Sequence, residues 1–191
     1  MEDNFIAAHE TLLSDAKFTN GSQIAIELIM KGNTSGAAYR TVWVKPTEGD
    51  MIEGIAPGKW DAYWAKMSEC IVEYKEHSAG RFLSGQGNPK KGDVMHIWDF
   101  KASDRNKFKI AQEKMLKELK KDFEGRFVGF GTYDINKPDG ATHWAAVSGK
   151  SEEDHIILLE KLEKMSEFYS FLDNRGPVSY THLTLPTILL V

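Results

Sequence analysis

Five residues in this 191-residue chain have types and spacing that could act on a bound molecule: Arg40, His96, Trp98, His143 and Trp144. When three similar segments are aligned on their second strands, Arg40, His96 and His143 share one register position, with Val42, Trp98 and Ala145 two residues on. Two imidazoles converging inside an enclosed sheet could hold a metal or divide acid and base roles. An arginine at the same level could clamp an anion through its planar fork of donors. Trp98 and Trp144, with Trp43, Trp60 and Trp64, could wall an apolar pocket of the kind small molecules occupy. Each residue also has a plainer role open to it. A strand histidine beside tryptophan is commonly packing, and no third metal ligand stands at a recognisable spacing. A long cationic side chain reaches water readily from a sheet edge, and regularly spaced tryptophans are mostly core. The sequence therefore names no catalytic residue, no metal and no cofactor, and leaves these five as ligand-binding candidates.

Other features carry less. The glycine-rich run over 80–92 lacks the G-x-x-x-x-G-K-[ST] order of a phosphate cradle and lies between strands rather than before a helix. Cys70 has Lys66 on one side and Glu69 and Glu73 close by, so no net positive field marks it as a reactive thiol. Lysines 114, 117, 120 and 121 are interleaved with Glu113, Glu118 and Asp122, which reads as a solvated helix face.

The elements that position the five candidates follow from repetition. Segments 26–50, 82–106 and 130–154 each read strand, Asn-to-Gly turn, strand, helix start. The turns NTSG (33–36), NPKKG (88–92) and NKPDG (136–140) supply residues that tight reversals use, and their flanks are rich in β-branched and aromatic residues. Three hairpins are predicted. Thr47, Ser103 and Ser151 follow the second strands as helix caps. Amphipathic helices come next, through Trp60, Tyr63, Trp64, Met67, Ile71 and Tyr74; through Phe108, Ala111, Met115, Leu119 and Phe123; and through Leu158, Leu162, Met165, Tyr169 and Leu172. A shorter helix is expected over residues 5–13, and a loop over 47–59.

The order α-ββ-α-ββ-α-ββ-α predicts an α+β fold with an antiparallel sheet. Cutting between the strands of the outer hairpins yields a ferredoxin-like βαββαβ unit over 37–135. Residues 1–36 then close a preceding unit, and 136–176 open a following one. Neither face of the predicted sheet is cleanly polar, so both need cover, from a second sheet of this chain or from another copy. A closed, tandem α/β barrel is the architecture expected.

The strand YRTVWVKP (39–46), the aromatic helix after it and the doubled βαββαβ order resemble the dimeric α/β-barrel superfamily, which includes stress-responsive barrel proteins and antibiotic-biosynthesis-type monooxygenases. The resemblance covers most of residues 20–172 as a pattern and carries no catalytic residue across. It implies a small apolar ligand held in a barrel, with a homodimer or sheet pairing within the chain. Two function classes follow: a non-enzymatic small-molecule binding or self-association domain, or a cofactor-independent monooxygenase-like enzyme acting on a small aromatic substrate.

Composition narrows the partners. With 24 Lys+Arg against 28 Asp+Glu and a net charge of −4, the chain offers no basic footprint for nucleic acid. No apolar run is long enough to span a membrane. Residues 1–16 show no basic segment followed by an apolar one, which leaves the compartment open. All charged residues lie before position 177, and VSYTHLTLPT (178–187) resembles one reading frame of a transposase adapter used in sequencing libraries. On that reading 177–191 is an adapter-derived tail on a fragment cut at its C-terminal side, the N-terminal side being left open, and the tail is set outside the fold.

Overall fold

The computed structural model describes residues 2–19, 22–29, 36–44, 50–71, 73–75 and 77–189. The expected turn at 33–36 and the Thr47 cap lie mostly outside them. The chain begins with helix α1 (Glu2–Leu13), then strands β1 (Lys17–Phe18), β2 (Gln23–Ile29), β3 (Tyr39–Val44) and β4 (Ile52–Glu53), and helix α2 (Lys59–Cys70). It continues with β5 (Phe82–Gln86), β6 (Val94–Ala102), α3 (Arg105–Glu118), β7 (Val128–Thr132) and β8 (His143–Gly149). Helices α4 (Glu152–Leu162) and α5 (Ser166–Asn174) precede the last strand, β9 (Val178–Leu189). Seven strands form one antiparallel sheet in the order β3-β2-β9-β6-β8-β7-β5, and β1 with β4 makes a separate two-stranded ribbon.

The helices form where apolar residues recur at threes and fours. Phe108, Ala111, Met115, Leu119 and Phe123 are all buried along α3 and the turn after it. They pack with Leu158, Leu162 and Phe171 from α4 and α5 against Phe100, Val128 and Phe130 of the sheet. The cap of α3 is Asp104, whose carboxylate accepts from the amides of Asn106 and Lys107 at 3.1 and 3.0 Å. Ser103, the expected cap, instead donates its hydroxyl to the Pro177 carbonyl at 2.9 Å. An ionised side chain one residue nearer the helix is the better acceptor there. Ser151 caps α4 as expected, accepting from the Asp154 amide at 3.2 Å. The single helix expected over 158–172 is two, because Met165 is extended (φ −108°, ψ 129°) between them.

Alternation along β6 sets two faces. His96, Trp98, Phe100 and Ala102 point to the helices, while Met95, Ile97 and Asp99 point the other way, and Met95 and Ile97 are only 3% and 5% exposed. On the second face Met95, Ile97 and Ala146 are buried beside the partly buried rings of Phe127 and Trp144. Glycines 129 and 131 leave room for the rings on that side, since a Cβ on Gly131 would come within 2.7 Å of Trp144.

Two of the three expected hairpins form, β2 with β3 and β7 with β8. The third does not: β5 pairs with β7, and β6 pairs with β8 and β9. A strand has two edges, and both edges of β6 are taken, so the turn at 88–92 becomes a crossing connection. Two strands of the 37–135 unit, β3 and β5, accordingly stand at opposite edges of the sheet. The segment set outside the fold by the sequence reading supplies β9, between β2 and β6. An uncharged, β-branched segment has high strand preference, and here it meets two strands that each have an edge to fill.

Candidate functional site

The five sequence candidates separate onto two faces. His96, Trp98 and His143 lie under the helices, Trp144 lies on the other face beside Asp99, and Arg40 stands on β3. His96 is opposite Val147 and His143 opposite Phe100, so the two imidazoles are four residues apart along the β6–β8 ladder, about 13 Å at the rise of a strand. They do not converge on one ligand.

Each histidine is committed to its own surroundings. His96 stacks on His155 of α4 with ring centroids 3.9 Å apart and planes 8° from parallel. His155 Nε2 lies 2.9 Å from the Val94 carbonyl, and since a carbonyl only accepts, that nitrogen carries the proton. Burial, then the neighbouring His155, pushes the His96 imidazole down to about 4. Burial likewise holds His155 below its ordinary value. The end of α4 is fastened beside this pair by Arg126, which donates to the Asp154 carboxylate at 2.6 Å and to the Ser148 carbonyl at 3.0 Å. His143 is 1% exposed, packed near Phe100 and Phe108, with Nδ1 2.8 Å from the Thr142 hydroxyl. That hydroxyl also accepts from the Ala102 amide at 3.1 Å. Burial and the Arg105 charge push His143 down to about 4. Both rings are neutral at physiological pH.

The other face holds a polar network absent from the sequence candidates apart from Arg40. Arg40 donates through Nε to the Glu27 carboxylate at 2.6 Å, and Glu27 is only 4% exposed. Tyr133 donates its hydroxyl to Asp99 at 2.9 Å, and Asp99 is 5% exposed. Burial, with the Asp99 charge adding to it, holds the Tyr133 proton well above the usual phenol range. Burial works against the Arg40 charge, but Glu27, Tyr133 and Asp99 outweigh it and raise Arg40. Arg40 is thus satisfied by the protein's own carboxylate rather than held out for an anion. A sequence signal for this network existed: Glu27 interrupts the apolar run of β2, and Asp99 that of β6. A carboxylate at such a position must find a partner or stay out of the sheet.

A third polar pair lies in the N-terminal half. His9 on α1 is fully buried, with Nδ1 2.9 Å from the Phe5 carbonyl and Nε2 2.8 Å from the Tyr63 hydroxyl. The carbonyl fixes the proton on Nδ1, so Nε2 accepts from Tyr63. Burial lowers His9 and pushes Tyr63 up to about 12, which keeps both neutral.

Two hollows stand out among the described residues. A gap of about 10 Å³ between α3 and α5 has room for roughly one water. An open groove of about 380 Å³ is lined by Trp64, Met67, Ser68, Ile71, Glu73 and Tyr74 along and beyond the C-terminal half of α2. Neither is lined by His96, His143 or Arg40. Among the described residues no three His, Cys, Asp or Glu side chains converge as metal ligands, and no helix is long and apolar enough to cross a membrane.

No family model matches this sequence, and no curated protein does. Among solved structures, a candidate monooxygenase from Lactobacillus acidophilus NCFM is similar in fold at 12% identity and a TM-score of 0.49, over 100% of this chain and 92% of that one. At this distance the chemistry rests on the chain's own geometry.

Proposed function

We propose that the chain is a non-enzymatic binding domain of α/β-barrel type that takes a small apolar molecule in the groove beside α2. The observation that carries this is the groove itself. Its volume, about 380 Å³, falls within the range of small-molecule clefts, and among the described residues its walls are Trp64, Met67, Ile71 and Tyr74 with Ser68 and Glu73 as the polar members. Trp64 and Tyr74 are 52% and 74% exposed there, so both rings have surface left for a ligand to cover. His96, His143 and Arg40 do not line this groove.

The barrel part of the proposal rests on strand order. Residues 94–189 run β6-α3-β7-β8-α4-α5-β9, and the strands lie in space as β9-β6-β8-β7. The last strand beside the first, and the third between first and second, is the split βαβ order of a ferredoxin-like unit. On this reading the unit sits later in the chain than 37–135, and β2–β3 pair with it through β9 as sheet pairing within the chain.

Titration with 8-anilinonaphthalene-1-sulfonate, followed by energy transfer from tryptophan, tests the groove. Saturable binding that weakens at least tenfold in Trp64→Ala, with unchanged circular dichroism, is expected. Binding indifferent to that substitution overturns the groove as the site. A second reading, the monooxygenase-like enzyme, is favoured by one observation: His96 Nε2 is buried with no hydrogen-bond partner. Oxygen consumption with small phenols that disappears in His96→Gln would support it over the binding domain.

A further inference from the structure

We propose that the groove beside α2 selects organic cations, apolar molecules that carry an ammonium group, and that the Glu73 carboxylate at the negative end of the helix is the counter-ion. The proposal rests on the groove reading above and adds to it the charge of the ligand.

Three sources of negative potential meet at the groove. The first is Glu73, an acidic member of its wall whose side chain is 61% exposed. The second is the end of α2. There the Ile71 amide donates to the Met67 carbonyl at 2.8 Å, and the carbonyls of Ser68, Glu69 and Cys70 follow as the partial negative charge of the helix dipole. No basic side chain stands in the last turn of α2, and Lys66, just before that turn, is paired with Glu69 at 2.9 Å. The third is the pair of rings. Trp64 and Tyr74 each carry a negative π face, which attracts an ammonium lying within about 6 Å of the ring centroid. Tyr63 steadies Trp64, with ring centroids 4.9 Å apart, and its own hydroxyl is tied to His9 at 2.8 Å.

The chain itself already sets an ammonium in this place. Lys75 Nζ lies 2.5 Å from the Glu73 carboxylate. The lysine side chain is 35% exposed and the glutamate more so, and an ion pair this open to water is held weakly. A ligand amine can take the position of Lys75, and it brings an apolar body to cover Trp64, Met67, Ile71 and Tyr74. The wider charge has the same sign. Residues 1–77 hold 12 Asp and Glu against 7 Lys and Arg, whereas residues 78–176 hold 16 against 17. The acidic surplus therefore lies in the part of the chain that builds the groove, where it draws cations toward it. An anion such as 8-anilinonaphthalene-1-sulfonate draws on the apolar walls alone, so its binding and the preference for cations are separate observables.

Isothermal titration calorimetry on the full chain with two probes of one shape tests the charge: 2-(1-naphthyl)ethylamine, a cation at neutral pH, and 2-(1-naphthyl)ethanol, which is uncharged. The amine is expected to bind at least fivefold more tightly than the alcohol. That ratio should fall below about twofold in Glu73→Gln and rise in Lys75→Met, which removes the competing ammonium. Glu153→Gln on α4 changes the net charge equally and should leave the ratio as it is. Equal binding of amine and alcohol overturns the selection of cations. A ratio indifferent to Glu73→Gln, or lowered as much by Glu153→Gln, overturns Glu73 as the counter-ion. Trp64→Ala separates these failures from that of the groove. Where both probes weaken in it with unchanged circular dichroism, the groove stands whatever the ratio; where neither weakens, the groove falls and the cation site with it.

Discussion

His96 and His155 lie face to face at 3.9 Å, where two positive charges would repel, so the pair is stable only while uncharged. His96 ionises near 4 in the folded chain against 6.5 when unfolded. Above pH 6.5 neither state binds the proton. Between 6.5 and 4 the unfolded chain binds it first, so stability falls as the solution is acidified. His96→Phe keeps a ring for the stack and removes both the titration and the unpartnered Nε2. Its advantage over the parent should be small at pH 7.5 and reach about 1 kcal/mol at pH 5, a figure reduced because the ring is partly open to solvent. Urea midpoints across that pH range measure it, and parallel curves for parent and variant would refute the assignment. The pairing was hidden in the sequence because His155 lies on a helix 59 residues away, at a spacing no local pattern connects.

Among the elements, β5 shows how far local pattern reaches. Strand composition and the turn at 88–92 were visible, yet turn chemistry alone does not say whether the next strand pairs or crosses over. That was decided by β8 and β9, which occupy both edges of β6. The β2–β3 and β7–β8 hairpins were legible because each joins strands with an edge open to the other. The close seat of β5 on β7 depends on Gly131, where a Cβ would stand 2.3 Å from the Arg81 carbonyl and 2.7 Å from the Trp144 ring. Backbone cannot yield there as a flexible side chain could. Gly131→Ala should therefore destabilise by about 2 kcal/mol and speed hydrogen exchange at the Thr132 amide, which now bonds Arg81. Normal protection at that amide would mean the strand accommodates the methyl group.

For the whole molecule, the question is what ties its N-terminal half to the rest. One tie is β9, and another is the buried network of Glu27 and Arg40 with Asp99 and Tyr133. Arg40→Met leaves Glu27 buried without its partner and should destabilise by about 3 kcal/mol at pH 7, the lower end for a broken buried pair because Arg40 keeps some contact with water. Adding Glu27→Met should restore most of that loss. A double variant no more stable than the single one would show that Arg40 serves another group. The sequence left Arg40 between an anion clamp and an edge residue reaching water, and did not offer Glu27, which is 13 residues back and meets it only when β2 folds onto β3.

The place of β9 also bears on what a shorter chain would do. β2 and β6 meet in the sheet only through β9, so a chain that stops at residue 176 keeps both of them with an open edge inside the sheet rather than at its rim. Open edges template pairing with other copies. The shortened chain should therefore scatter light at concentrations where the full one stays clear, and an equally clear solution would show that those edges close on each other.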